Sequence, residues 1–473
     1  VRAAALPPRR LEWGALALLA VVKLGLLAVF GPTWESDWTS YSDIADTILR
    51  ERGWLTDAGL DRYAVPPTLF RSLGYPLVVA ALRGLLGPSE AHLYLLVCLQ
   101  IGVSLCATAL VWRLAALLLA SRWLALVVAF GQATGIGMLY DQSLLPDSLF
   151  ASAFITLWAA PLIGLLRGSP ASPPRLFGLG VLAACACLLR GNGLPFLVLL
   201  SPPLLLWLWR SRSVAAAAAW LGPVAAVVAA VMAWNVARTG EPVLSTGAQF
   251  VLIQAMVKAE ARGHVMFDGD TVLDRTAREH LKEKSYAEVL DIVAALFTEH
   301  RVDALESARL HKALYLRSWL RHPGAMLQNT MENFDESIFF QVLNPLDNAF
   351  FYSRLVTGDR LFPGISKAWK QARGGDPVMA AALLATGLFR VVTYGLVIVL
   401  TIGGPVLLIR RWRILSGRDW AALYLWGLFF GYTLALCAIH IAARHMPAVA
   451  GAGLLAALYL GREAWRRRPY APA

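Results

Sequence analysis

Charge is scarce in this chain. Of its 473 residues only 16% are Asp, Glu, Lys or Arg, and 58% are hydrophobic. Soluble domains carry about 25% charged residues, so a soluble globular protein is excluded. Acid is the scarcer sign, 31 residues against 43 basic ones. No dense acidic cluster argues for a tight metal cage, so a divalent metal stays an open question, and no other cofactor signature is present. Cysteine is rare too. Cys98, Cys106, Cys185, Cys187 and Cys437 all fall in apolar runs without CxxC spacing, which excludes a zinc ribbon or a dithiol redox motif. No internal repeat or low-complexity tract stands out. What the sequence has in plenty is long apolar runs, several reaching the roughly 20 residues that cross a bilayer core.

The first run, Trp13 to Phe30, is too long and unbroken for a secretory signal, and no small-residue cleavage site follows it. It reads as the first span. The net charge of +12 does not call for nucleic acid, because the arginines gather in short loops between apolar runs, the positive-inside pattern. The reading is an all-α polytopic membrane protein of about ten spans: 12–31, 90–113, 123–140, 147–166, 175–190, 194–210, 214–236, 383–409, 419–441 and 446–461. Arg2, Arg9 and Arg10, then Arg167 with Arg175, Arg210 with Arg212, Arg410 to Arg413, and Arg462 with Arg466 to Arg468 all fall on one side. Both termini are then cytoplasmic. This holds only if "GYPLVVAALRGLLG" (74–87), short and bounded by Pro76 and Pro88, lies at the interface and does not cross. Arg390 is read as the only charge with a chance of lying deep. The Ala, Leu and Arg enrichment points to a GC-rich bacterial genome, so the membrane expected is the bacterial cytoplasmic one.

The opposite, outer face collects loop 32–89, the turns "YDQSLLPDS" and "LLRGNGLP", loop 237–382 and "ARHMP". Three parts follow: a membrane module over 1–236 with the first outer loop inside it, a small helical outer region over 237–382, and membrane helices with a tail over 383–473.

Loop 32–89 opens with "WESDWTSYSDIADTILRERGW". Tyr41, Ile44, Ala45, Ile48 and Leu49 recur at three and four residues, an amphipathic helix along the membrane surface. Asp37 stands just before it. It is placed either to cap that helix or to face a cleft. Asp43 and Asp46 read as solvated. Asp147 begins a span, where the helix dipole favours an acid; Asp141 shares its turn. Arg71, Arg190 and Arg444, with His445, lie on the outer face, against the positive-inside trend. Arginines there snorkel to lipid or bind an anion through bidentate hydrogen bonds. Carboxylates beside arginines at headgroup depth suit group transfer from a lipid phosphate, with a carboxylate taking the proton of an incoming hydroxyl.

Five stretches in order, "DWTSYSDIA" at Asp37, "RSLGYPL" at Arg71, "LPDSLF" at Leu145, "LLRGNGLP" around Arg190 and "RHMP" at Arg444, resemble the polytopic GT-C glycosyltransferases. The nearest branch is similar to bacterial family-39 enzymes, protein O-mannosyltransferases and lipid A aminoarabinose transferases. The resemblance runs over about 12 to 461. It implies a GT-C-like fold, a polyprenyl-phosphate-linked sugar donor, and an acceptor hydroxyl on a glycan, lipid or protein. It implies catalytic roles for Asp37 and Asp147. The outer-face charges make Arg71, Arg190, Arg444 and His445 the candidates for the donor phosphate, and Glu35, Tyr41, Asn192 and Lys258, with His264, are the candidates for substrate contact. Members often carry an adjacent Asp–Glu pair in the first loop. Here Glu35 and Asp37 are separated by Ser36, which leaves open which acid is the base; the spacing to Tyr41 and Ala45 favours Asp37. A transporter or flippase, an inactive scaffold subunit and an oligosaccharide ligase are the alternatives.

Overall fold

A computed structural model describes residues 10–35, 37–50, 71–87, 89–135, 137–191, 193–283, 286–339, 369–370 and 372–465. Ser36, Asn192, the side chain of Arg390, and the terminal arginines Arg2, Arg9 and Arg466 to Arg468 lie outside the described residues. The chain is an all-α, multi-pass membrane protein. Seven helices are long and apolar enough to cross a membrane, and the only β pairing among the described residues is an isolated bridge between Thr33 and Ser143.

The first half runs α1 (Arg10–Phe30), α2 (Trp38–Arg50), α3 (Gly74–Leu86), α4 (Ala91–Leu119), α5 (Arg122–Thr134), α6 (Gly137–Gln142), α7 (Asp147–Arg167), α8 (Pro173–Leu189), α9 (Gly193–Ser211) and α10 (Val214–Thr239). Helix α7 is the central post. Its apolar window is 72% buried, and it packs on α4, α8 and α9. Small residues on it, Ala151, Ser152, Ala153 and Ala159, let neighbours approach closely. Helices α8 and α10 pack more closely still. At Gly180 an added Cβ would sit 2.5 Å from the Trp220 carbonyl oxygen.

Helix α2 is amphipathic as expected, burying Trp38, Tyr41, Ile44 and Ala45. It packs on α3, and Arg83 of α3 bonds Asp46 and Ser42. Asp46 is therefore paired, while Asp43 stays exposed. Helix α3 has 13 residues, or about 20 Å, too short to span. Gly74 lets its start press against the Leu188 backbone, where a Cβ would lie 2.7 Å from the carbonyl carbon.

Five helices then form a compact module: α11 (Ile253–Ala261), α12 (Val272–His280), α13 (Tyr286–Thr298), α14 (Ala304–Arg321) and α15 (Pro323–Phe339). It has its own core, with Ile253, Met256, Leu273, Ile292 and Met326 at its centre. A capping box of Thr271 and Asp274 starts α12, and Arg317 of α14 binds the same Asp274. The chain ends in α16 (Pro377–Arg411), α17 (Gly417–Cys437) and α18 (Pro447–Trp465). The module is tied to α17: Asn333 Nδ2 donates to Cys437 O at 2.7 Å and the Tyr315 hydroxyl to Ala438 O at 3.1 Å.

Three of the ten expected spans differ from simple rods. The run 123–140 breaks at Gly135 into α5 and the short α6. Helix α8 has 17 residues. Helix α18 carries Arg462 and Glu463 in its last turns and is sheltered by α17, α16, α5, α7 and α4.

The close α8–α10 contact gives a paired test. Gly180→Ala must push a Cβ into backbone and should cost about 1–3 kcal/mol. Gly178→Ala, with nothing within 4 Å, should leave the thermal midpoint of the detergent-solubilised protein unchanged. Equal midpoints for the two variants would contradict the packing described.

Candidate active site

The site forms where distant segments are stitched together at one end of the bundle. The link between α1 and α2 is pinned to the link between α6 and α7. Thr33 N–H donates to Gln142 O at 2.9 Å, Leu144 N–H donates to Thr33 O at 3.0 Å, and the Thr33 hydroxyl donates to Ser143 Oγ at 3.1 Å. That parallel bridge brings Glu35 and Asp37 beside the start of α7, where Asp147 sits.

Below the bridge lies an ion pair that the apolar run of α1 conceals. Lys23 Nζ donates to Asp141 Oδ2 at 2.5 Å, with side-chain exposures of 1% and 4%. Ser104 of α4 and Ser148 of α7 donate to the same carboxylate, at 2.8 and 2.5 Å. Gln142 reaches back to Lys23 O, and Gln100 Nε2 bonds the carbonyls of Asp141 and Ser143. The Tyr75 hydroxyl donates to Gln100 Oε1 at 3.1 Å, and the Tyr75 ring meets Tyr41 edge to face at 5.3 Å. A continuous frame thus runs from the bundle interior to α2, hydrogen-bonded as far as Tyr75 and closed by the ring contact to Tyr41. The expectation that Arg390 was the only deep charge is corrected here: Lys23 and Asp141 are both buried, and each neutralises the other.

Above the frame, Asp37 is held on both sides. Arg71 Nη2 donates to Oδ1 at 2.8 Å, and Arg444 Nη1 donates to Oδ2 at 2.8 Å. Its carboxylate therefore clamps arginines and does not cap α2; Ser40 Oγ bonds Asp37 O instead. Arg71 is aimed by Ser40 Oγ at 3.1 Å and by the Tyr41 ring, 5.2 Å below its guanidinium. Asp147 accepts from Arg190 Nη1 at 2.8 Å, and Arg190 lies 5.5 Å over the Phe150 ring. Arg190 ends α8 in an extended conformation. Arg444 stands in a 3₁₀ turn, Ala443–His445, between α17 and α18.

The electrostatics divide the carboxyls. Burial raises the pKa of Asp37, but Arg71 and Arg444 outweigh it and hold the group below the ordinary carboxylate range. Glu35 goes the other way: burial raises it, and Asp37 and Asp147 add to that against the pull of Arg444. Burial alone would lower Arg444, yet Asp147 and Asp37 hold it more firmly protonated. Its Nε is buried without a hydrogen-bond partner. A donor aimed from a protonated guanidinium with nothing to accept it can serve an arriving anion.

Of the residues singled out from sequence, Glu35, Asp37, Tyr41, Arg71, Asp147, Arg190 and Arg444 come together. His445 does not stand with the exposed donors. It is buried, its Nδ1 accepts from the Ala442 N–H at 3.2 Å, and burial with Arg190, Arg444 and His440 drives its pKa down. It shapes the turn that carries Arg444. Lys258 donates to Asn333 at 2.7 Å at the foot of the module and is felt by His440, which also feels Arg444. It borders the cluster. His264 bonds Gln328 at 3.4 Å on the module surface. Asn192 lies outside the described residues. Lys23, Ser40, Gln100 and His440 were not found from sequence; only Lys23 carried a signal, as a lone charge in an apolar run. Among the described residues no three His, Cys, Asp or Glu side chains gather as a metal site. Comparison with protein-family profiles, curated proteins and solved structures finds no match to this chain.

The buried pair predicts a double-mutant cycle. Lys23→Met or Asp141→Leu alone leaves an uncompensated charge and should cost about 3–5 kcal/mol; the double variant should recover most of it. Additive losses in an unfolding assay would refute the pairing.

The two first-loop acids predict an order of protonation. The Asp37 clamp stabilises the fold above the ordinary Asp value of about 3.9 and is lost as pH falls through its depressed value. Glu35 takes its proton at higher pH. Infrared carboxyl bands, assigned with Glu35→Gln and Asp37→Asn, should appear in that order on acidification.

Proposed function

We propose that this chain is an inverting membrane glycosyltransferase of GT-C-like fold, with about ten spans. It moves a monosaccharide from a polyprenyl-phosphate donor to an acceptor hydroxyl on a glycan, lipid or protein. The observation that carries the reading is the clamp: one carboxylate, Asp37, held by two arginines from opposite ends of the chain, beside a second carboxylate–arginine pair. The site sits on the outer face of a bacterial cytoplasmic membrane, with both termini inside. Supporting this, Arg167, Arg210, Arg410, Arg411 and Arg462 end their helices away from the carboxylates, as the positive-inside trend requires.

The chemistry follows from competition for the arginines. Without donor, Arg71 and Arg444 are bonded to Asp37. A donor phosphate offers them a stronger bidentate partner. Once they turn to it, Asp37 loses the charges that depress its pKa and becomes a better base. The acceptor oxygen then attacks the anomeric carbon. Its proton passes to Asp37, the bond between the anomeric carbon and the phosphate oxygen breaks, and polyprenyl phosphate leaves with that electron pair. The transition state has oxocarbenium character. Arg71, Arg190 and Arg444 stabilise the charge growing on the leaving oxygen, a large contribution where donors are preorganised. Asp147 keeps Arg190 aimed. Glu35, carrying its proton more readily, contacts the sugars, while Tyr41, expected from the sequence to do so, is buried and supports Arg71 from below.

A second reading, a transporter or flippase, draws on Lys23 and Asp141, since ionisable groups inside a span commonly mark a transport path. Their mutual saturation with Ser104 and Ser148 favours a fixed frame.

Asp37→Asn should lower the turnover of a polyprenyl-phosphate sugar by about 10²–10⁴-fold. Donor lipid should still co-purify, because the arginines are released. Arg190→Ala with Arg444→Ala should lose the lipid by mass spectrometry. An Asp37→Asn enzyme turning over like the wild type would remove the assignment. Movement of an intact lipid substrate across proteoliposomes without transfer would favour the second reading.

A further inference from the structure

A cleft of about 850 Å³ opens between α16 and α18, at the end of the bundle away from the carboxylates. Ile398, Ile402 and Val406 of α16 and Leu460 of α18 make its apolar walls. Two glycines shape it differently. At Gly403 the helices touch, since a Cβ would lie 2.9 Å from Leu460 Cβ. At Gly461 the wall is thin, and an added Cβ would meet only Val399 Cγ1, at 3.6 Å. Ile398 and Ile402 are 57% and 58% exposed on α16, a helix long and apolar enough to cross a membrane, so hydrocarbon has to fill the space.

One charged residue lines the mouth of the cleft. Arg410 lines it and is exposed. The carboxylates nearby are already taken: Arg411 binds Glu463 at 3.1 Å and Asp419 at 3.6 Å, and Asp419 also accepts from the Tyr459 hydroxyl and caps α17. Arg410 makes no ion pair among the described residues, so its guanidinium fork is open to an anion. Trp412, 64% exposed, follows it, with Arg413 at 4.9 Å over its ring. An exposed tryptophan beside arginines is what the headgroup layer favours.

We infer that the α16–α18 cleft binds one anionic phospholipid, with its phosphate on Arg410 and its acyl chains along Ile398, Ile402, Val406 and Leu460. Charge selects the lipid, and the apolar length of the cleft holds it. The lipid would secure α16, whose first half, with Leu384, Leu388 and Val391, is largely exposed and whose close seats are Gly403 on Leu460 and Gly404 on Trp426. The site is separate from the carboxylate cluster and does not depend on the glycosyl-transfer reading.

The test uses the full chain, purified and delipidated in detergent. Phosphatidylglycerol or phosphatidylcholine of the same acyl chains is added back. Native mass spectrometry reads retention, and thermal unfolding reads stabilisation. Wild type should keep one phosphatidylglycerol and be stabilised more by it than by phosphatidylcholine. Arg410→Ala should weaken phosphatidylglycerol by about tenfold, as loss of a charged hydrogen bond does, and erase the preference. Arg175→Ala, an exposed arginine at the same end of the bundle, should keep it. Gly461→Leu, which fills the cleft, should lower retention of both lipids. Equal retention of the two lipids by wild type, an Arg410→Ala variant that keeps the preference, or undiminished binding to Gly461→Leu would each overturn the proposal.

Discussion

The buried contact between Lys23 and Asp141 is the interaction on which the site end of this protein depends. Alone, either charge would be costly at that depth, by several kcal/mol after relaxation. Together, at 2.5 Å and with serines from α4 and α7 completing the carboxylate's hydrogen bonds, they join the first membrane helix to α6. Once α1 and α6 are fixed, the chain leaving α1 has to pass the link before α7. Thr33 bonds that link on both sides. The acids of the first loop therefore arrive beside Asp147.

The site above is a balance of like numbers. Arg71, Arg190 and Arg444 stand among Glu35, Asp37 and Asp147, and the pairs are drawn from five separate segments. The environment sorts the acids, depressing Asp37 and raising Glu35. Arg444 also keeps one buried N–H, at Nε, without a hydrogen-bond partner. The module of α11–α15 adds a polar border. Lys258 and Asn333 join it to the end of α17, the helix that leads directly into the turn bearing Arg444. Movement of the module would be felt at that turn through a few residues.

Much of this was legible in the residues. Apolar runs give the spans because hydrocarbon admits no unsatisfied backbone. The three- and four-residue recurrence after Asp37 gives α2, and the short apolar run at 74–87 gives the 13-residue α3. Arg71, Arg190 and Arg444 stood out for their place against the positive-inside trend, and Asp37 and Asp147 for their places at helix starts. Other features misled for a physical reason. Averaged hydropathy hides a single Lys23 among apolar neighbours, and its partner is 118 residues away. The same averaging hides the break at Gly135. Asp37 before a helix has the local pattern of a cap, and that pattern contains no information about Arg71 or Arg444, 34 and 407 residues distant. His445 looked equivalent to Arg444, yet a 3₁₀ turn sends adjacent side chains in different directions.

By itself, then, the sequence determined what each segment can be: a long apolar helix, a short amphipathic one, a set of charges that must avoid hydrocarbon or be paired within it. Those follow from composition and period, which are local. Tertiary structure alone decided which carboxylate meets which arginine. Ion pairing depends on distances of a few ångströms between residues far apart in the chain, and only the packing of the helices that carry them sets those distances.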